Sequence, residues 1–543
     1  MTFVKKYLGA LILILALTLS TLQVIINQAR YEAPDVKTIR ICHFQLEAGF
    51  RQALQQLIDE YEEHYAKTRG EKLRIVQLPI SQRGYEQFVN TSLIGQTAPD
   101  IIETDPLVRT TQDAAYVSRF FLPLGEYVST PNPYTAGTAL EQLPWKETFF
   151  DGLQSAFKKR LLDYYHIPFS IFTIRMYYNI DLYEELTGKT EPPASYQEFQ
   201  DVCGQILEKG RHSPELLVPI AGSKYQAAVL GSRYERPFFV DLSQKIDTNL
   251  DGEVSEAEAW LGYQEGAYLL NDPVFIASWN CSVEISKNFQ KGWISSQRDD
   301  ATFLFLQQNA VMLASGSWDA ASILKQAEGK FRVGIFDFPM PIDHPAYSRF
   351  VKGPLGEGNI QGGIPWAVTK QSAHPEICLD FLRFCTTPER NEAFNKQITW
   401  LPVVNGAQPK DILKPFTPRL AGFQTEFRYQ NLSTALRMIE KGARWQLLSG
   451  QITPEEYAAR LSQTLERSGE QGFLKNMEKD ELTQRDTNRM LAAKLALASR
   501  SASAPPKKTE QQIQQLTEFR LDSCHQSAVS RHRYEIIKQG EAE

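Results

Sequence analysis

Three observations predict an α/β fold built on a parallel sheet. Apolar strand-like runs alternate with helical runs along most of the chain, glycines stop the helices, and the composition supports large cores. The opening shows the pattern. TIRICHF reads as a buried strand, and FRQALQQLIDEYEEHYAKTRG then repeats apolar residues at helical spacing through Phe50, Leu54, Leu57, Ile58 and Tyr61 until Gly70 stops it. KLRIVQLPI reads as a second strand, GYEQFVNTSLIG as a helix ending near Gly95, and DIIET after Pro99 as a third strand. Further strand candidates at HIPFSIF, NAVMLAS, FRVGIFDF and IPWAVTK carry the alternation to about residue 465.

The 543 residues are 42% hydrophobic and 11% aromatic, so most of the chain can bury a core. Lys and Arg number 58 against 64 Asp and Glu, a net charge of −6, which leaves no basic field for a nucleic-acid backbone. Six scattered cysteines, Cys42, Cys203, Cys281, Cys378, Cys385 and Cys524, form neither a disulfide scaffold nor a CxxC metal site and read as buried or free thiols. Cys378 and Cys385, on one predicted helix, lie about 10 Å apart along its axis, too far for a disulfide.

Both ends depart from this texture. Lys5 and Lys6 precede an apolar run from Tyr7 to Ile26, close to the roughly 20 residues that span a bilayer. It reads as an export signal. Asn27 makes a poor cleavage site, which favours an uncleaved anchor over a cleaved signal peptide, and the positive-inside rule exports everything after Arg30. From about Ser468 the sequence becomes charged and helix-favouring, broken by the linker SRSASAPPKKT. The final stretch supports one weak amphipathic helix, either a solvated tail or a partner-docking element.

Specific segments then resemble the extracellular solute-binding proteins of ATP-binding-cassette (ABC) importers, family 1, the carbohydrate-binding type. GYEQFVNTSLIGQTAPDII, with Pro99 and Asp100, is similar to that family's opening, and IPFSIFTIRMYYNIDLYEELTGKTEPPASYQEF, with Tyr178, Asn179 and Asp181, to its crossover into a second lobe. NAVMLASGSWDAASIL resembles the strand, turn and Trp318 that the family places near its ligand. GGIPWAVTKQSAHPEICLDFLRFCTTPERNEAFNK resembles the return to the first lobe, LPVVNGA the turn after it, and SGQITPEEYAARLSQTL the closing helices. The resemblance implies a two-lobed, periplasmic-binding-protein-like fold of type II that takes a ligand between its lobes and does no covalent chemistry. It implies a signal or anchor over 1–30, a first lobe over 36–165 plus 363–415, a second over 166–362 plus 416–465, and a helical or disordered tail over 466–543. The lipidated cysteine usual in the family is missing, since Cys42 is the first cysteine after the apolar run.

Sugar sites pair flat aromatic faces with polar rims, because a pyranose has apolar C–H faces and a ring of hydroxyls. Phe44, Trp279, Trp318, Trp366 and Trp400 are candidates for the faces, with Trp318 and Trp366 favoured beside glycines. Gln45, Glu47, Asp105, Arg175 and Tyr178 are candidates for the rim, and Arg175 could equally pair a carboxylate on an acidic ligand. Asp247 to Glu258 fits a twelve-residue EF-hand loop: oxygen side chains at Asp247, Asn249, Asp251 and Ser255, the turn at Gly252, the backbone carbonyl of Glu253 and a chelating Glu258. The expectation is a structural Ca2+; an ordinary Asp-Gly turn before a helix is the alternative. Enzyme signatures are weak: adjacent acids such as Glu184 and Glu185 or Asp299 and Asp300 point apart on a helix, the glycine-rich GPLGEGNIQGG lacks a phosphate-loop ending, and the histidines show no metal spacing. The expected function is capture of a sugar or oligosaccharide and delivery to ABC permease subunits at the extracytoplasmic face of the membrane. A membrane-anchored sensing or scaffold subunit using the same fold is the alternative.

Overall fold

A computed structural model describes residues 36–542 apart from 47–48, 105–113, 160, 212–216, 358–361, 424–426 and 501–506. Glu47, Asp105 and the apolar run Tyr7–Ile26 therefore lie outside the described residues. Among those described, no helix is long and apolar enough to cross a membrane.

The chain divides into two compact units. The first comprises residues up to Ser170, Gly362–Ile398 and Pro402–Gln408; the second comprises Ile171–Gln361, Thr399–Leu401 and Pro409 onward. The first unit carries a four-stranded sheet in the order Trp366–Val368, Ile101–Glu103, Lys37–His43, Leu73–Pro79. Lys37–His43 runs parallel to both of its neighbours, with Lys37 opposite Leu73 and Ile41 opposite Ile101, while Trp366–Val368 closes the edge antiparallel. Helix Phe50–Arg69 buries Phe50, Leu54, Leu57, Ile58 and Tyr61, the face its apolar spacing predicts. Gly70 ends it at φ 68°, where its N–H reaches the Ala66 carbonyl.

The second unit carries a sheet in the order Val333–Phe336, Ile174–Asn179, Ala310–Gly316, Val218–Ala221. Ile174–Asn179 is antiparallel to both of its neighbours, and only Val218–Ala221 pairs parallel with Ala310–Gly316. The expected parallel sheet is thus mixed. Every residue of Ala310–Gly316 is buried, so its unbroken apolar run reads alike for either strand direction.

The division differs from the sequence reading at several places: residues 166–170 fall with the first unit and Thr399–Leu401 with the second. Residues 409–415 belong with the second unit, not the first, because the 3-10 helix Asp411–Phe416 offers its carbonyls to that unit: Pro415 accepts from Arg175, Phe416 accepts from Thr173, and the Phe416 ring meets Tyr177 at 5.4 Å. The tail is no loose appendage either. Pro454–Arg500 is one 47-residue helix, and Lys507–Ala542 returns antiparallel beside it, with Gln484 bonded to Ser523 and Ser527 and Lys494 to Gln512. Phe473 stacks on Trp260 at 4.5 Å, and Tyr534 meets the same indole at 5.9 Å. A Cβ on Gly469 would stand 2.8 Å from the Trp260 Nε1, so the absent side chain is what lets the helix seat. All six cysteines are free, five of them buried.

Candidate functional site

In the first unit the strand ends converge on a buried carboxylate that sequence reasoning missed. Glu103, last residue of its strand and fully buried, accepts from the Phe44 backbone N–H at 3.2 Å and the Gln45 side-chain amide at 2.5 Å. The Tyr85 hydroxyl is shared between the Cys42 and Glu103 carbonyls, and its ring meets Phe44 edge-on at 5.4 Å. Phe44 and Gln45 are half-buried and Leu46 is exposed. This is an apolar ring and an amide set by one carboxylate just past strand ends, where open α/β sheets expose ligand crevices. His43 beneath them is pushed down to about 4 by burial and is neutral at pH 7.

Trp366 does not offer a face here. It is 1% exposed, packed edge-on to Phe169 at 5.8 Å and to His43 at 6.4 Å. Its strand lies directly opposite Glu103 in the sheet, which turns the indole into the core.

In the second unit, strand Ala310–Gly316 delivers Trp318. A Cβ at Gly316 would overlap the Trp318 ring, so glycine is what permits the indole to fold back over the strand end. Phe172 meets Trp318 edge-on at 5.7 Å and Trp400 at 5.0 Å, and the Trp400 Nε1 donates to the Trp318 carbonyl at 3.4 Å. Trp318 and Phe172 are half-buried, while Trp400 is buried behind them. The result is an aromatic shelf with a backing layer. Beside it Asp319 accepts from Arg298 and from the Ser315 hydroxyl, and Arg298 lies 4.9 Å over the Tyr225 ring. Phe172, Tyr225 and Arg298 escaped the sequence reading; Phe172 sat in a run taken as a strand.

Three other expected ligand residues are structural. Arg175 is 3% exposed and all five of its N–H donors are spent: Nε on the Pro415 carbonyl, Nη1 on Ile174 and Glu357, Nη2 on Glu357 and Thr417. It has no donor left for a ligand. Tyr178 is 6% exposed, wedged against Tyr183 at 5.4 Å and Phe336 at 5.6 Å, with Gly334 leaving room for its ring. Trp279 is buried against Phe275, Tyr429 and Tyr457. Strand alternation and helix packing point these three inward, which their residue types alone do not reveal.

The loop from Asp247 to Glu258 closes on itself. Leu250 and Gly252 adopt φ of 59° and 80°, Asp247 Oδ2 accepts from the Gly252 N–H, Asn249 from Asp251, and Asp251 from Glu253. Glu258 uses both carboxylate oxygens: Oε1 takes the Thr248 hydroxyl and the Thr248 and Asn249 amides, and Oε2 takes the Ser255 amide and hydroxyl. The Ser255 and Glu258 pair is a capping box for helix Glu256–Gln264. Asp247 Oδ1 is buried without a partner, yet among the described residues no three His, Cys, Asp or Glu side chains converge as a metal site.

Each unit sets a half-buried aromatic side chain just past a strand end of its sheet, Phe44 after Lys37–His43 and Trp318 after Ala310–Gly316, an arrangement suited to holding a ligand. Residues 56–417 match the sequence profile of the bacterial extracellular solute-binding proteins, and the chain belongs to that family. Among solved structures it is similar to apo RafE from Streptococcus pneumoniae, at 16% identity and TM-score 0.54 over 79% of this chain and 98% of that one. It is also similar to the GacH receptor of Streptomyces glaucescens, at 14% identity and TM-score 0.54 over 80% and 98%. A third is the binding protein MsmE from Bacillus subtilis, at 13% identity and TM-score 0.52 over 81% and 99%. A sequence comparison with curated proteins finds no match.

Proposed function

We propose that this protein captures a carbohydrate-like ligand outside the cytoplasm and hands it to an ABC importer, with no covalent step of its own. The observation that carries the reading is the half-buried pair Phe172 and Trp318, backed by Trp400 and bordered by the Arg298 and Asp319 ion pair. Such a shelf covers a pyranose face while a charged border satisfies hydroxyls. Phe44 and Gln45, held by the buried Glu103, supply a second polar and aromatic group. Structures of similar fold support it: GacH is known in complex with acarbose and RafE with raffinose. Ligand binding would act by shifting a conformational equilibrium.

A thermal-shift screen over monosaccharides, neutral oligosaccharides and acidic sugars tests this, because a ligand at 100 times its Kd adds about 2.7 kcal/mol of stability. A sugar that raises the Tm of the wild type and not of Trp318→Ala supports the reading; no response to any sugar sinks it.

Residues 7–26 are proposed to hold the mature protein at the membrane; recovery of the chain in the soluble fraction with a new N-terminus beyond residue 26 would refute that. The loop at Asp247 is proposed to take Ca2+, supported by its left-handed turns and by the unpartnered Asp247 Oδ1. Calorimetric titration with Ca2+ gives heat if the proposal holds and none if the loop is only a turn.

A further inference from the structure

The contacts that tie the C-terminal hairpin to the rest of its unit sit at one end. Phe473 and Tyr534 pack on Trp260, Asn476 bonds Glu256, and Arg533 bonds Glu265 and the Thr248 hydroxyl. From Asn476 the helix runs on to Arg500, roughly 36 Å at 1.5 Å per residue. Along that length the two helices meet through a narrow and largely polar seam, with Leu491 and Leu516 as its buried apolar side chains.

Outside the seam the helix end, RMLAAKLALASR, is apolar nearly all round. Leu497 is 68% exposed, Leu495 49% and Met490 37%, and Ala492, Ala493 and Ala496 between them are exposed as well. A helix facing water on three sides ordinarily carries polar residues there, and Met490, Ala493 and Leu497, at i, i+3 and i+7, make one exposed apolar stripe of the kind that something covers. Within the segment itself the charge has one sign. Arg489, Lys494 and Arg500 punctuate the segment, and no Asp or Glu occurs from residue 487 to 509, in a chain whose net charge is −6. Arg489 pairs with Asp486 through an exposed contact that competes weakly with other anions.

We propose that residues 489–500 are a membrane-surface docking site, seating this end of the hairpin on an anionic phospholipid bilayer. Leucine and methionine enter the boundary between headgroups and acyl chains while the long cationic side chains reach the phosphates. The helix lies on the bilayer and does not cross it, since it is not apolar enough to span. A second copy of the chain fits the surface less well, because a symmetric contact would set the three cations against the same three cations.

The test uses the full-length chain carrying Leu497→Cys and Cys524→Ser, labelled at position 497 with an environment-sensitive fluorophore and reconstituted into lipid nanodiscs. Discs of phosphatidylcholine alone are compared with discs containing phosphatidylglycerol. The comparison separates this site from any membrane attachment by the N-terminus, which both discs share. The expected result is a blue shift and about a twofold or greater rise in emission in the anionic discs only. High salt reverses the change, and the triple variant Arg489→Gln, Lys494→Gln, Arg500→Gln abolishes it while keeping the wild-type Tm. Equal emission in both discs overturns the proposal, as does a lipid-free shift that grows with protein concentration, which would assign the surface to self-association.

Discussion

Arg175 and Glu357, 182 positions apart in sequence, form a two-pronged buried ion pair with both N to O distances at 2.9 Å. Glu357 also accepts from Arg233 and from the Arg419 backbone, and Asp337 pairs with Arg233 and Arg419. Burial alone would raise the Glu357 pKa, but the Arg175 hydrogen bonds and the Arg233 charge hold it below the ordinary carboxylate value. Removing either partner strands a buried charge, so Arg175→Ala is expected to cost about 3 to 5 kcal/mol in chemical denaturation. The pH dependence follows from the lowered pKa. Glu357 contributes its full stability above the ordinary value of 4.5 and loses it as pH falls through the lower folded value. Glu357→Gln should therefore lower the Tm at pH 7 and flatten its decline below about pH 4.5.

Tryptophans that look alike in sequence should part company when truncated. Trp279→Ala empties a packed site and is expected to cost about 3 to 5 kcal/mol, read by urea denaturation. Trp318→Ala removes a half-buried face; it should cost less than about 2 kcal/mol and weaken ligand binding about tenfold or more in calorimetry. The reverse pattern would exchange the roles assigned to the two residues.

The close seat of the long helix depends on glycine. A Cβ on Gly472 would collide with the Leu432 carbonyl oxygen, backbone that has no rotamer to yield. Gly472→Val is expected to destabilise by about 1 to 3 kcal/mol and to bring faster proteolysis within 454–542. Gly442→Ala, with open space around its Cβ, is the neutral control and should leave the Tm unchanged or slightly raised.

Glu258 closes its loop with two oxygens that serve five donor groups. Glu258→Ala leaves three part-buried amides without their acceptor and should cost about 1 to 3 kcal/mol even in excess chelator. If the wild-type Tm also falls on chelation and recovers with Ca2+, the loop holds metal in addition to capping its helix.

How much of this could be read from the sequence depends on range. The helix at Phe50 and the stop at Gly70 were legible because spacing and termination are local, and the strand end before Trp318 was legible because Gly316 marked it, although the same glycine signal favoured Trp366, which is core. Arg175 looked like a ligand residue because its partner Glu357 lies far away in sequence. Tyr178 and Trp279 looked like ligand faces because a packed aromatic and a binding one are the same residue. Glu103 was hidden inside a strand assumed to be apolar packing. In the tail, charged residues masked a seam that was present: Gly469, Phe473 and Met477 recur at intervals of four and are the residues that seat the helix.

Trp260 sets an order of assembly. Its indole is enclosed by Phe473 and Tyr534, contributed by segments more than two hundred residues downstream and, for Tyr534, within the last ten. The core of the second unit therefore stays incomplete while the chain is being made, and becomes whole only once the helix that carries Tyr534 has folded back. Until then Trp260 is an uncovered apolar surface, open to chaperones and to wrong partners.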